Sequence, residues 1–278
     1  MCAKLCSAVK NITFVSYLHI TGKTNTMKRK TFLALLAAAL MACFASNSQA
    51  QVNDGQIQEW RVYSFLQGTS ANRLDKLMTD ILLPLYRDMG VEVGCFKELS
   101  QNLPAVYYFL FVYPSFDAYL KANDILLKNS AFVEAMKQDA EANRPTFFRY
   151  DSYLCRPFTG WKKVTPIAGK TIYEWRKYDS ANIEAGARKV AMFNGGEIEV
   201  FKECGVNPLC FGQIIAGRNM PGLIYVTQFD DMADCTASWA KFNAHPEWKR
   251  MRTAPEWANA TNQINRVYLT PLPYSTIK

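Results

Sequence analysis

The sequence predicts an α+β protein in which two similar units pack sheet against sheet within one chain. Three observations lead to this prediction: an internal repeat, the same order of predicted elements in both copies, and an apolar sheet face in each copy that needs cover. Of the 278 residues, 49% are apolar and 13% aromatic, so a packed core is expected rather than disorder.

A repeat with a spacing of 115 residues relates the two halves of the chain. The segment 57–63 (IQEWRVY) returns as 172–178 (IYEWRKY), with five of seven residues identical. We therefore predict one unit over residues 51–155 and a second over 171–278. The piece between them, 156–170, has two prolines and two glycines, which are typical of a linker.

Periodicity predicts the elements of the first copy. Residues 58–65 alternate as a strand does, and Ser70 is the predicted N-cap of a helix that ends at Gly90. Two strands, two helical segments and a last strand follow, predicted over 91–99, 107–113, 116–127, 132–142 and 147–154.

The second copy follows the same plan. A strand over 171–178 precedes a helical region that Gly195-Gly196 should break or kink and that Gly205 should end. The remaining elements are predicted over 209–216, 223–229, 232–242, 246–251 and 265–269. This order is that of the ferredoxin-like βαββαβ unit. We predict two such repeats packed sheet to sheet as an intrachain α+β barrel, with pairing between chains as the alternative.

The first 50 residues have the pattern of a targeting segment. Residues 27–50 are predicted to be a signal peptide, with a basic start (Lys28-Arg29-Lys30), an apolar run and a cleavage site at Ser48-Gln49-Ala50. We then expect translation to begin at Met27, so that residues 1–26 are not part of the protein. The predicted product is exported, periplasmic or secreted, and lipid anchoring through Cys43 is the alternative. No later stretch reaches 18 apolar residues, so no transmembrane helix is expected.

The net charge of +8 comes mostly from this segment. Residues 1–50 carry six basic side chains and no acidic one, and the rest of the chain carries 26 basic and 24 acidic residues. Nucleic-acid binding proteins concentrate basic residues in a patch or stripe, so no nucleic-acid partner is expected. Homo-oligomers and a small-molecule or protein partner stay open at this point.

Cysteine and histidine usage argues against a metal centre. Five cysteines follow residue 50 at irregular spacing and without a CxxC pair, which is typical of buried small apolar residues. A single bridge such as Cys204–Cys210 is the alternative. His245 is the one histidine after residue 50, which excludes a site built from several histidines. We expect no metal and no cofactor.

Two charged pairs lie at equivalent places on the predicted first strands: Glu59 with Arg61, and Glu174 with Arg176. Residues two apart on a strand share a face, and Trp60 and Trp175 lie on the opposite one. With the tryptophans under the helices, the four charges would face the barrel interior. They are interpreted either as buried ion pairs that fix the register of the halves or as a polar floor for a small anionic or hydroxylated ligand.

Residues 238–252 (SWAKFNAHPEWKRMR) predict a helix, a corner and a new helical turn. His245 precedes Pro246, a residue suited to the first position of a helix. His245 is interpreted either as a cap without a ligand or as a general base at the rim of a pocket. Trp248 is interpreted as a core residue together with Trp239 and Phe242, with ligand contact as the alternative.

The sequence resembles the NIPSNAP family, part of the dimeric α+β barrel group. The resemblance is strongest in the second copy, and it rests on 192–198 (MFNGGEI), 220–225 (MPGLIY), 229–232 (FDDM), 239–242 (WAKF) with 245–249 (HPEWK), and 273–275 (PYS) with Pro271. Members usually have an acidic residue before the Pro-Glu-Trp, where this chain has His245, so no family role is transferred to it.

The resemblance implies the fold more than the chemistry. We expect a small-molecule-binding or accessory module, with candidate ligand contacts at Glu59, Arg61, Glu174, Arg176, His245 and Trp248. The alternative is a cofactor-independent enzyme, monooxygenase- or isomerase-like, by analogy of fold. The first copy has Ser130-Ala131-Phe132 at the corner, which predicts that one half keeps the site and the other is scaffold.

Overall fold

Eight antiparallel strands close into one barrel in the part of the chain that the structure describes. The structure is a computed structural model, and it describes residues 55–67, 71–101, 103–142, 146–147 and 149–278. The predictions for residues 1–26, the signal peptide 27–50, Cys43 and the Ser70 cap lie outside the described residues. Every described helix is too short or too polar to span a bilayer.

The first half runs strand, helix, strand, strand, helix, strand, as the sequence predicts. Its elements are β1 (Ile57–Ser64), α1 (Asn72–Leu77), a π-helical turn (Met78–Leu82), α2 (Leu83–Asp88), β2 (Glu92–Glu98), β3 (Tyr107–Tyr113), α3 (Phe116–Lys128), α4 (Ser130–Glu141) and β4 (Arg149–Pro157). The Asn129 side chain caps α4 by accepting from the Phe132 amide, which makes the corner between α3 and α4.

The second half repeats this order. Its elements are β5 (Ile172–Asp179), α5 (Ile183–Met192), a π-helical turn (Phe193–Glu197), α6 (Ile198–Glu203), β6 (Asn207–Ala216), β7 (Gly222–Phe229), α7 (Met232–Ala244), α8 (Pro246–Thr253), a short 3₁₀ turn (Pro255–Trp257) and β8 (Gln263–Pro271). The predicted kink is present, because Gly196 has φ of 140° and leaves the helical region. The π-helical turns of the two halves start 115 residues apart.

The barrel closes because the two four-stranded sheets pair at both edges. The strand order is β1-β3-β2-β8-β5-β7-β6-β4. One seam joins β2 to β8 through three registered residue pairs, and the other joins β4 to β6 with a register shift after Leu154. The tail after β8 extends the first seam, since Thr276 donates its amide to the Val93 carbonyl and the Ser275 hydroxyl accepts from the Cys95 amide.

The core has three parts. Residues of both halves fill the barrel interior, among them Trp60, Phe96, Tyr173, Trp175 and Ile277. Each half also has an apolar layer between the outer face of its sheet and its helices. The Phe96 ring contacts the Tyr173 ring with centroids 4.7 Å apart, so the interior is shared between the halves.

The structure reverses the expected orientation of the charged pairs. Trp60 and Trp175 face the barrel interior, and Glu59, Arg61, Glu174 and Arg176 face the helices. Alternation along a strand defines which residues share a face, but it does not say which face is the interior. On the helix side of the sheet, hydroxyl and indole groups donate hydrogen bonds to these carboxylates, whereas the interior is lined mainly by apolar rings. Burial of the charges therefore costs less free energy beneath the helices than it would in the interior.

The five cysteines after residue 50 are buried and free, so the Cys204–Cys210 bridge is absent. Cys204 packs in the helix-side layer of the second half, and Cys210 packs in the barrel interior. They lie on opposite sides of the sheet and cannot be joined. Among the described residues, no group of three or more His, Cys, Asp or Glu side chains is placed to hold a metal ion.

Candidate functional site

A cavity of about 710 Å³ lies between the sheet of the second half and its helices. Strands β5, β7 and β8 form its floor, α5 to α8 form its walls, and the segment after α8 borders it. Its lining includes Arg176, Tyr178, Lys189, Glu197, Phe201, Tyr225, Cys235, Trp239, Phe242, Trp248, Arg252, Trp257, Arg266 and Tyr268. Of the 22 described residues that line the cavity, eight are aromatic and five are charged.

Arg176 and Glu174 form the polar floor. The Arg176 guanidinium donates to Glu174 Oε1 from Nε at 3.0 Å and from Nη2 at 2.8 Å. The Trp239 indole N–H donates to the second oxygen of Glu174, and the guanidinium stacks on the Trp239 ring at 3.8 Å. Burial by itself would lower the pKa of Arg176, but Tyr225 and Glu174 hold it above its usual range. Arg176 is therefore a fixed cation beside a neutralised carboxylate.

A second ion pair lies in the cavity wall. Lys189 Nζ donates to Glu197 Oε2 at 2.7 Å, and both side chains are almost fully buried, with 7% and 3% exposure. The ammonium lies 4.3 Å from the centre of the Phe193 ring. Burial raises the pKa of the Glu197 carboxyl, and the nearby Lys189 and Arg176 offset part of that rise. Glu197 thus holds a proton more readily than a surface glutamate does.

Two tyrosine hydroxyls line the cavity beside this pair. The hydroxyls of Tyr178 and Tyr225 are hydrogen-bonded to each other at 2.9 Å. Burial holds the pKa of Tyr225 well above its usual value. Tyr225 therefore stays neutral across the physiological range.

Two further arginines and one indole N–H also line the cavity. Arg266 lies on β8 with its Nε 3.7 Å from Glu174 Oε1 and its side chain 55% exposed. Arg252 also lines the cavity. The Trp248 indole N–H is buried and has no hydrogen-bond partner among the described residues. Glu174 and Glu197 are already paired with Arg176 and Lys189, so Arg252 and Arg266 give the cavity an excess of positive charge.

The matching region of the first half is built differently. Arg61 donates to both oxygens of Glu59 at 2.9 Å, and Tyr113 and Ser152 donate to the same carboxylate at 3.1 and 2.7 Å. Neither Glu59 nor Arg61 lines the large cavity. A smaller cavity of about 310 Å³ lies elsewhere in this half, between the first helical region and α4.

Leucines replace the buried ion pair in the first half. Leu74 and Leu82 lie 115 residues before Lys189 and Glu197, at the same places relative to the π-helical turn. Both leucines are buried, with 1% and 8% exposure, and belong to the apolar layer of that half. The charged pair is therefore specific to the half that contains the large cavity.

The family comparison matches the half with this cavity. Residues 173–276 match the family model described as NIPSNAP. The second half of the chain is a NIPSNAP domain. All of the cavity-lining residues fall within the matched range, so the cavity belongs to the NIPSNAP domain.

Solved structures share the fold over most of this chain. A putative monooxygenase from Fusobacterium nucleatum is 13% identical, with 78% of this chain and 93% of that chain covered and a TM-score of 0.53. A putative monooxygenase from Lactobacillus acidophilus is 9% identical, with 78% and 94% covered and a TM-score of 0.54. At such identities the likeness is one of fold.

A shorter solved structure also matches part of this chain. A NIPSNAP family protein of unknown function from Agrobacterium tumefaciens is 16% identical, with 41% of this chain and 100% of that chain covered and a TM-score of 0.36. No curated protein matches the sequence.

The structure brings three of the predicted site residues together. Arg176 and Trp248 line the cavity of the NIPSNAP domain, and Glu174 lies beneath Arg176. His245 does not line it. Its Nδ1 accepts from the Glu247 amide at 3.3 Å as the cap of α8, and its Nε2 lies 3.1 Å from Glu203. Glu59 and Arg61 belong to the other half.

Sequence reasoning missed Lys189 and Glu197. Each lies on a helix whose periodicity directs it inward, and a charged residue there interrupts the apolar face. The repeat carried the missing signal, because the first copy has leucine at both aligned positions. A substitution of two buried leucines by a complementary charged pair is a change that packing alone does not require.

Proposed function

We propose that the NIPSNAP domain binds a small organic anion that has an aromatic or similarly flat apolar body. The observation that carries this proposal is a cavity with aromatic side chains, four cationic side chains and one carboxylate in its lining, together with a buried Trp248 indole N–H that has no partner in the described part of the chain. Its volume of about 710 Å³ falls within the range of about 300–1,000 Å³ that is typical of small-molecule sites. The proposal keeps the sequence-based expectation of a binding module and adds the charge of the ligand.

The expected negative charge of the ligand follows from how the charged side chains of the cavity are paired. Each of the two buried carboxylates already has its own cation within 2.8 Å. Arg252 and Arg266 add positive charge at the rim, and the Trp248 N–H needs an acceptor. A carboxylate or a comparable oxyanion complements guanidinium groups with charge-assisted hydrogen bonds.

The expected flat shape of the ligand follows from the aromatic rings that line the cavity. Trp239, Phe242 and Trp248 pack in sequence, with ring centroids 5.4 and 4.5 Å apart, and Tyr178 and Tyr225 face them from the floor. Aromatic walls favour a flat apolar ligand through offset or edge-to-face contacts.

Tryptophan fluorescence tests the proposal directly, because three of the six tryptophans line the cavity. We expect phenylacetate to quench the emission in a saturable way and the neutral analogue phenylethanol to bind more weakly. Arg266→Gln should weaken phenylacetate binding about fivefold, since it removes a half-exposed charge. Arg156→Gln is the matched control, an exposed strand arginine outside the cavity. Equal affinity for the acid and the alcohol would contradict the proposal.

The second candidate is a cofactor-independent enzyme. The observation that favours it is that Glu197 lines the cavity with a pKa raised by burial, which is the property of a general acid or base. Two proteins of the same fold are described as putative monooxygenases, which supports this candidate by analogy only. Native mass spectrometry of the protein from its host separates the candidates, because a binding module retains its ligand and an enzyme converts an added one.

We also propose that the protein is exported after removal of residues 27–50. The basic and apolar pattern of that segment and its Ser-Gln-Ala site support the proposal. Cell fractionation followed by N-terminal sequencing should give a chain that begins at Gln51. A blocked N-terminus at Cys43 would indicate the lipid-anchored alternative.

A further inference from the structure

The Lys189–Glu197 pair has a natural comparison inside the same chain. Leu74 and Leu82 occupy the equivalent places in the first half and pack as ordinary apolar residues. In both halves the first position lies four residues before a π-helical turn of five residues and the second is the last residue of that turn, so the local backbone follows the same plan. The difference between the halves at these two positions is therefore one of side-chain chemistry.

Packing does not account for the charged pair. Taking an ammonium and a carboxylate out of water is costly, and apolar residues of similar volume in their place are often neutral or stabilising. The first half shows that two leucines satisfy this fold at this position. The charged pair occurs where the wall adjoins the large cavity, and both of its members line that cavity. Its role thus concerns the content of the cavity.

We propose that Lys189 and Glu197 form an acid–base pair that exchanges a proton with a ligand carrying an enolisable carbonyl group. This inference rests on the proposed function, because the carboxylate of the ligand would lie toward Arg252 and Arg266. The implied ligand class is that of aromatic 2-oxo acids. Such a molecule has the anionic group, the flat body and the carbonyl that the cavity can match.

The proton transfer involves no change of oxidation state. Glu197 takes the proton from the carbon next to the carbonyl, and the electron pair of that C–H bond forms the C=C bond of the enolate. The negative charge moves to the carbonyl oxygen, where the Lys189 ammonium donates a hydrogen bond. Return of the proton to carbon restores the ligand. The burial that raises the pKa of Glu197 helps it to hold the proton between these steps.

Deuterium exchange measures this reaction. Phenylpyruvate is incubated with the protein in D₂O, and proton NMR follows the loss of the signal of its CH₂ group. We expect the wild-type protein to accelerate the exchange about 100-fold or more over the rate without protein, the scale of general acid–base catalysis. Glu197→Gln keeps the shape of the side chain and should abolish the acceleration while phenylpyruvate still quenches the tryptophan emission.

Two double variants separate function from structure. Lys189→Leu with Glu197→Leu copies the first half, and it should lose the acceleration and melt no lower than the wild type. The control replaces the exposed pair Glu199 and Lys202 by leucine and should keep the wild-type exchange rate. Wild-type exchange in the first double variant, or a melting temperature several degrees lower, would overturn the proposal. Quenching without acceleration in the wild type overturns it but leaves the proposed function intact, and the absence of both overturns the two together.

Discussion

The carboxylate of Glu174 organises the floor of the cavity in the NIPSNAP domain. It accepts from Arg176 and from Trp239, and Arg266 lies 3.7 Å away. Strand geometry places Glu174 and Arg176 on one face, and α7 then brings Trp239 above them. One carboxylate thus fixes a strand, a helix and a rim arginine relative to each other.

Burial should suppress the reactivity of the cavity cysteine. Cys235 lines the cavity, and burial raises the pKa of its thiol to about 12, with Glu174 adding to the rise. Because the thiolate is the reactive form, iodoacetamide should label Cys235 about tenfold faster for each pH unit between 7 and 9, without a plateau. Mass spectrometry of the Cys235 peptide gives the rate. A plateau near pH 8.5, the usual value for a free thiol, would show that the thiol is not desolvated.

At the scale of single elements, the helix of the NIPSNAP domain that carries the acid–base pair is interrupted by its π-helical turn. Lys189 lies before the turn, and Glu197 is its last residue. The extra residue of the turn therefore changes the direction in which Glu197 points around the helix axis relative to Lys189. Gly196 adopts φ of 140°, a conformation that side chains rarely adopt. Ile81 lies at the corresponding place in the first half, and its own φ is not positive.

We therefore expect substitution by alanine to have different effects on stability at two neighbouring glycines. Gly196→Ala should lower the free energy of unfolding by about 1–3 kcal/mol because of its backbone conformation, since the nearest atom to an added methyl group, Met251 Sδ, is at an ordinary 3.6 Å. Gly195→Ala meets nothing within 4 Å and should be neutral or stabilising by up to about 1 kcal/mol. Urea denaturation measures both. Equal effects at the two positions would refute this account of the turn.

Element order was predictable from the sequence, whereas the faces of the strands were not. The repeat of IQEWRVY and IYEWRKY located both first strands, and Gly195-Gly196 marked the kink. The same alternation left open whether Trp60 or Glu59 faces inward, and the expectation for the charges was wrong. The cavity could not be deduced from sequence either, because Lys189, Arg252 and Arg266 converge from elements that are distant along the chain.

For the whole molecule, closure of the barrel depends on a narrow seam. Three registered pairs join β2 to β8, and the following tail adds hydrogen bonds to Val93 and Cys95. Ile277 then enters the barrel interior, where it is fully buried beside residues of both halves. The tail therefore joins the two sheets through hydrogen bonds and contributes a side chain to the shared core.

Loss of the Ile277 side chain should destabilise both halves at once. Ile277→Ala should lower the free energy of unfolding by about 2–4 kcal/mol, the usual cost of a large cavity in a core. Ile183→Ala, at a side chain that is 79% exposed, should change it by less than about 0.5 kcal/mol. Chemical denaturation followed by circular dichroism compares them. If the two substitutions cost the same, the tail does not hold the barrel closed.

Closure within one polypeptide frees the two halves from symmetry. In a barrel assembled from two identical chains, every side chain would appear twice and every pocket would be duplicated. Here one half keeps leucines at 74 and 82, while the other half has Lys189 and Glu197 beside its cavity. Calorimetric titration with phenylacetate should accordingly give a stoichiometry of one molecule per polypeptide, and either half can acquire substitutions that its counterpart does not share.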